Sequence, residues 1–261
     1  MKFLLFHRAA GFVHQSIPDA VAAIESLATH HGYACTSTED PDAFSAATLN
    51  EFDAAVFLQT SGNVLPKLDQ RSALESYIRE GGGYFGIHAA ASMGEYASEW
   101  PWYRELVGAS FKGHTAAIVY GPDQFEASAT ARYGGRRRDA PIDAEVISTE
   151  IAVVSWQEAR VTVEAVDCLA AKGLASSSMR SDEWYGFDRN PRGLVNVVAT
   201  VDESTYDPGL GAMGADHPIV WWRHFDGGRS VYNSMGHSRA TWRDPTFLQS
   251  VAGGIELAAG G

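Results

Sequence analysis

Gly81-Gly82-Gly83-Tyr84-Phe85-Gly86-Ile87-His88-Ala89-Ala90-Ala91-Ser92 is the stretch on which the fold turns. Three glycines end a helical segment, and Tyr84 to Ile87 reads as a short buried strand. The small residues that follow make a tight turn. Such a turn projects one side chain past the carboxyl edge of the sheet, where open α/β folds bind their ligands. In hydrolases and amidotransferases the corresponding elbow presents Ser or Cys. Here the position is His88. An imidazole serves as base, acid, metal ligand or hydrogen-bond donor, and replaces a thiolate poorly in amide hydrolysis. Because strand-end turns are exposed, His88 is read as functional rather than as a core histidine satisfied by backbone. The glycines do not make a phosphate loop, since neither G-x-G-x-x-G nor G-K-[ST] follows a strand.

Upstream of this stretch, strands and helices alternate. Lys2 to His7 reads as a strand. A helix opens at Ser16 and Pro18, with Ile17, Val21, Ile24 and Leu27 at helical spacing and Gly32 as its stop. Tyr33 to Ser37 and Asp53 to Leu58 read as further strands, and Pro66 to Glu80 as a helix. That alternation predicts a parallel sheet with helices on both faces. Downstream of residue 110 the pattern changes. Thr115 to Tyr120, Ile151 to Trp156, Val161 to Val166 and Leu194 to Val201 read as strands without intervening helices. Gly121 to Asp143, which includes Arg136-Arg137-Arg138, is polar and Gly/Arg-rich and reads as a mobile excursion. Pro218 to Phe225 and Arg229 to Met235 flank Asp226-Gly227-Gly228 as an antiparallel hairpin. Asp244 to Ala259 closes the chain as a helix, capped by Asp244 with Pro245 in its first turn. No linker divides residues 1–261 into two domains, and the region at about 121–155 reads as an insertion.

Composition narrows the partners. The chain has 261 residues, 20 Lys+Arg against 32 Asp+Glu, and a net charge of −12, with 45% hydrophobic residues. An acidic excess argues against a nucleic-acid surface. No apolar run approaches the roughly 20 residues that span a bilayer. Met1 to Arg8 is too short and too soon polar for a signal peptide. Two cysteines, Cys35 and Cys168, do not make a structural zinc site alone, and fit a reducing cytoplasm. Ile151 to Trp156 reads as a sheet edge that a second copy would cover, which predicts a homo-oligomer.

Four histidines stand in glycine-flanked loops: His14 in Gly11-Phe12-Val13-His14, His88, His114 in Gly113-His114, and His237 in Gly236-His237-Ser238. If these loops gather at one sheet edge, three or four imidazoles converge. A divalent metal then becomes an alternative to metal-free acid–base chemistry, although no H-E-x-x-H or C-x-x-C spacing marks one. His30 and His31 end a helix and read as surface residues favoured by its dipole. Asp182-Glu183-Trp184-Tyr185 combines two carboxylates with two aromatics, the mixture that sugar sites use. On a strand the two carboxylates would point to opposite faces, so only one would enter a site. Trp221 and Trp222 read as core on either face. His217, before a strand, reads as a turn or site residue.

Taken together, these segments resemble the trehalose-utilisation (ThuA-like) family. The resemblance runs through Ala10-Gly11-Phe12-x-His14-x-Ser16-Ile17-Pro18, Gly81 to Ala90, Trp100-Pro101-Trp102-Tyr103 to His114, and Asp182-Glu183-Trp184-Tyr185. It continues in Met213-Gly214-x-Asp216-His217-Pro218-Ile219, Asp226-Gly227-Gly228-Arg229-Ser230 and Gly236-His237-Ser238. It implies a three-layer α/β/α flavodoxin-like, class I glutamine amidotransferase-like fold. It places His88 where the amidotransferase cysteine stands and His237 near the triad histidine. Cys35 and Cys168 lie at no elbow, so glutaminase chemistry is not expected. The family implies a disaccharide or keto-sugar substrate. Val13 departs from it, standing where a basic residue is frequent.

The reading that follows is a cytoplasmic enzyme of carbohydrate metabolism. His88 and His237, with Asp182 and Glu183, would carry acid–base chemistry beside a sugar carbonyl. His14, His114, Trp184, Tyr185 and His217 would bind the substrate. Two alternatives are a non-catalytic sugar-binding or regulatory module and a metal-dependent hydrolase.

Overall fold

In the computed structural model, the described residues are 1–116, 118–120, 145–148 and 151–261. The strands are β1 (Lys2–Phe6), β2 (Ala34–Thr38), β3 (Ala54–Leu58), β4 (Gly83–Ile87), β5 (Phe111–His114), β6 (Ile118–Tyr120) and β7 (Glu145–Ser148). They continue with β8 (Ile151–Val154), β9 (Gln157–Val163), β10 (Ser177–Asp182), β11 (Tyr185–Phe187), β12 (Asn196–Asp202), β13 (Pro218–Phe225) and β14 (Gly228–Asn233). The helices are α1 (Ile17–His31), α2 (Ala46–Leu49), α3 (Leu68–Arg79), α4 (Pro101–Val107) and α5 (Pro245–Ala258).

One nine-stranded sheet carries the fold, in the order β10-β9-β12-β13-β14-β4-β3-β1-β2. From β2 to β14 neighbours are parallel, and from β14 to β10 they are antiparallel. The parallel part has the flavodoxin-like order expected from the alternating segments. Alternation along each strand sorts side chains to the two faces. Phe3 and Leu5 of β1 pack with Ile24 of α1 and Ile255 of α5. Leu4 and Phe6 pack on the opposite face with Leu74 and Ile78 of α3 and Leu106 of α4. This is a three-layer α/β/α arrangement. Trp221 and the partly buried Trp222 go to opposite faces, as read.

Local chemistry sets the ends. Gly32, at φ +70°, closes α1. Asp244 caps α5 by accepting the Thr246 amide. Asp226 (φ +50°) and Gly227 (φ +102°) turn β13 into β14, both in the left-handed region that tight hairpins use.

Several expectations are corrected. Thr115 to Tyr120 is not one strand. The Thr115 amide goes to Trp184 and the Ala116 amide to Asp207, so pairing breaks between β5 and β6. The strand expected at Val161 to Val166 begins earlier and ends earlier, because Glu164 and Ala165 both turn their amides to the Val198 carbonyl. Strand β10 and helix α4 are elements that the sequence pattern does not announce. Ile151 to Trp156 is not a sheet edge: β8 lies between β6 and β7 in a separate three-stranded sheet. The ground for expecting a second copy on that strand therefore falls away. The excursion expected over Gly121 to Asp143 lies outside the described residues. Among the described residues, no helix is long and apolar enough to cross a membrane.

Candidate active site: a buried imidazole and carboxylate cluster

The turn after β4 holds His88 at φ +52°. Few non-glycine residues adopt that conformation, and it costs of order 1–3 kcal/mol, so the surroundings must enforce it. They do so from both sides. The Tyr232 hydroxyl donates to the His88 carbonyl at 2.7 Å, and the ring Nδ1 lies 2.7 Å from the Ser234 carbonyl. A carbonyl only accepts, so Nδ1 carries a proton, and Nε2 is the nitrogen turned toward the other side chains of the site. Contrary to the expectation of an exposed turn, His88 is completely buried.

Other elements bring partners to that Nε2. The loop after β1 supplies His14, whose ring centroid is 4.8 Å from that of His88 and 5.2 Å from that of His237. The loop after β14 supplies His237, with Nδ1 3.4 Å from His88 Nε2. Glu183, on the crossing from β10 to β11, places Oε2 3.1 Å from His237 Nδ1 and 3.4 Å from His88 Nε2. One donor atom from each of His14, His88, Glu183 and His237 lies within 4.8 Å of the others, and all four residues are buried. His114, at the end of β5, stands outside this group. Its Nδ1 is 3.7 Å from Glu183 Oε1, and the side chain is 40% exposed. Four imidazoles thus gather at the carboxyl edge, three sealed and one reaching solvent.

Asp182 and Glu183, both read as candidate catalytic residues, divide: Glu183 faces the imidazoles and Asp182 does not. Asp182 turns back to accept the amides of Gly236 at 2.8 Å, His237 at 3.0 Å and Glu183 at 2.9 Å, and the Thr241 hydroxyl at 3.3 Å. It fixes the loop that carries His237. Tyr185 tilts its ring over His88, with centroids 4.1 Å apart. Trp184 is not in the site: it is fully buried in the core and donates to the Gln157 carbonyl at 2.9 Å. Nor is His217, which lies behind Tyr185 with Nε2 2.9 Å from the Tyr185 carbonyl and Nδ1 2.8 Å from Glu203.

Two supporting residues escape sequence reading. Gln59, after β3 at φ +49°, donates to the Gly236 carbonyl and to Ser16 Oγ at 2.9 Å. Ser16 in turn donates to the His237 carbonyl at 2.6 Å. Together they tie the His14 loop to the His237 loop. In the sequence Ser16 signals only a helix start, and nothing marks Gln59.

Charge in the cluster follows from burial. Desolvation and the neighbouring His88 and His237 push His14 down to about 2, so it is neutral. Burial works against ionising Glu183, but His237 and His88 beside it hold its carboxyl well below the ordinary range. The group is therefore a set of imidazoles around one carboxylate. His14 Nδ1 is buried without a hydrogen-bond partner.

This donor set fits a divalent cation. Nitrogen and oxygen ligands about 2.0–2.1 Å from a tetrahedral ion stand roughly 3.3 Å from one another. The contacts of 3.1 and 3.4 Å around Glu183 and His88 are close to that. His88 also donates its second ring nitrogen to a backbone carbonyl, as metal-bound histidines do. The elbow carries no cysteine. Cys35 lies within β2, pushed up to about 12 by burial, and Cys168 stands in a loop, both as free thiols.

The profile of the ThuA family, described as trehalose utilisation, matches residues 2–258. A ThuA-like protein of Bacteroides uniformis ATCC 8492 superposes with a TM-score of 0.69 at 22% identity, covering 97% of this chain and 89% of that one. One from Parabacteroides merdae ATCC 43184 gives 0.66 at 17% identity, covering 100% and 90%. The cytoplasmic protein STM3548 of Salmonella typhimurium gives 0.58 at 9% identity, covering 99% of each chain. These likenesses establish a shared fold. No curated protein matches the chain.

Proposed function

The chain belongs to the trehalose-utilisation (ThuA) family, and from that premise we propose that it is a cytoplasmic enzyme acting on a small sugar, with a divalent cation held by His14, His88, Glu183 and His237. One observation carries the proposal: four donor atoms from four distant segments, all buried, lie within 4.8 Å of one another. These imidazoles and their carboxylate make a poor proton relay among themselves, since His14 does not protonate near neutral pH. They make a good ligand set for the same reason.

A cation bound there would supply a Lewis acid for a carbonyl or hydroxyl oxygen of the sugar. The chain's own residues supply the rest. His88 is held through Nδ1 by the Ser234 carbonyl, which turns Nε2 toward the cation position. Asp182 holds the His237 backbone in place. His114, half in solvent, is the imidazole placed to exchange protons with a substrate. It removes one from the hydroxyl-bearing carbon beside a sugar carbonyl; return of that proton to the former carbonyl carbon, with the hydroxyl proton passing to the former carbonyl oxygen, completes an isomerisation. Tyr185 walls the site against water. Residues 1–261 act as one unit in this reading, because the cluster joins His14 near one end to His237 near the other.

Metal analysis of protein purified without chelator tests the proposal. About one equivalent of metal is expected, falling in a His14→Ala, His237→Ala double variant. Activity toward a 3-keto-disaccharide or related sugar should fall with it and remain low in His114→Ala, which keeps its metal. A metal-free preparation that turns over sugar fully would return the site to imidazole acid–base chemistry. Sugar binding without any turnover would make the protein a binding module.

A further inference from the structure

Beside the cluster lies a cavity of about 560 Å³, at the carboxyl ends of β1 and β2. Its walls include His7, Arg8, Val13, His14, Ile17 and Glu39. His14 is the wall it shares with the cluster, so a molecule in the cavity lies against one of the proposed ligands. The cavity opens on the β2 side of β1, across from the crevice between β1 and β3. That crevice is the topological switch point at which open α/β sheets bind ligands, and the His14 and His88 loops flank it, so the cavity adjoins the switch point through His14.

The chemistry of the walls is uneven. Arg8 brings a planar guanidinium with five N–H donors. Its Nε–H is buried and meets no acceptor. Glu39 faces the same space but sits at the rim, 68% exposed, with its carboxylate 3.2 Å from His7 Nδ1. A second orphan, His14 Nδ1, is on the shared wall, and His14 itself is only 4% exposed. A buried N–H without an acceptor is costly, as at Arg8 Nε, and a guanidinium is best met by an oxyanion that takes two of its N–H groups at once. Val13, 64% exposed, adds an apolar rim against which C–H groups can lie.

We propose that this cavity seats an oxyanion of the substrate, a carboxylate or phosphate read by Arg8, so that the sugar reaching the cluster is an acidic one. This rests on the sugar reading above and narrows it. The experiment is calorimetric titration of the metal-loaded protein with glucose, glucuronate, glucose 6-phosphate and inorganic phosphate, repeated on Arg8→Ala and Arg8→Lys. Binding of an acidic sugar at least tenfold tighter than glucose is expected, with the difference erased in Arg8→Ala and partly kept in Arg8→Lys. Glucuronate and glucose 6-phosphate tell carboxylate from phosphate. Thermal melts establish that the variants fold. Equal affinity for glucose and the acidic sugars overturns the proposal and leaves the sugar reading standing. Arg8-dependent binding of inorganic phosphate without any sugar supports the oxyanion seat and removes the sugar reading instead. No binding of any probe, or binding that Arg8→Ala leaves unchanged, overturns the seat.

Discussion

His88 combines a strained backbone with a buried ring, and substitutions separate the two. Alanine at φ +52° suffers the close approach of Cβ to backbone that asparagine tolerates through local hydrogen bonding. His88→Asn should therefore be more stable than His88→Ala by about 1 kcal/mol in denaturant melts, although both lose the ligand. Equal stabilities would mean the turn is not strained. Asp182 offers a different test, because it touches no proposed substrate. Its oxygens accept three amides and a hydroxyl, and the side-chain amide of an asparagine in its place would turn a donor toward donors. Asp182→Asn should cost about 1–3 kcal/mol of stability. It should also weaken metal binding roughly 10–100-fold with every ligand intact. Isothermal titration of the folded variant reads this, and unchanged metal affinity would reduce Asp182 to a structural role.

Elements show which parts of the chain speak for themselves. Helix α5 announces its start with Asp244-Pro245, and the cap forms as read. Asp244 also pairs with Arg180. Burial opposes its charge, yet the Thr246 bonds and Arg180 lower its pKa below 3.8 overall. A carboxyl depressed in the folded state contributes stability that is present above its unfolded pKa and lost as pH falls through the folded value. Asp244→Ala should thus cost about 1 kcal/mol at neutral pH, and the gap from the parent should shrink below pH 3.8 in urea melts; a gap that persists there would assign the effect to packing. The parallel strands are equally legible, because strands such as Ala54–Leu58 are buried on both faces and so wholly apolar. Ser177–Asp182 is not, since an outer strand pairing on one side with β9 needs no apolar run. The histidines stand out through their glycine-flanked loops. Trp184 misleads, because an aromatic beside acids looks the same in sequence whether it lines a sugar site or fills a core. Gln59 and Ser16 are silent, because they act through carbonyls of residues 177 and 221 positions away.

At the scale of the molecule, the cluster exists only when the whole sheet is assembled. His14 follows β1, His88 follows β4, Glu183 follows β10 and His237 follows β14, strands spread across the nine-stranded sheet. No local fragment holds two of these donors at ligand spacing, so the unfolded chain lacks the site. Metal binding free energy is then folding free energy, amounting to about 2.7 kcal/mol when free metal is a hundredfold above its dissociation constant. The melting temperature should rise with metal concentration and fall on chelation, and unfolding should remain a single transition in calorimetry and circular dichroism. His14→Ala should flatten that dependence; the cavity it leaves lowers the metal-free melt as well, so the slope against metal concentration is the readout. A metal-dependent rise that survives in His14→Ala would mean the ion sits elsewhere, on the acidic surface that a net charge of −12 provides. Salt separates these two cases as well: added salt screens a surface ion, whereas one held by buried imidazoles and Glu183 keeps its affinity largely unchanged.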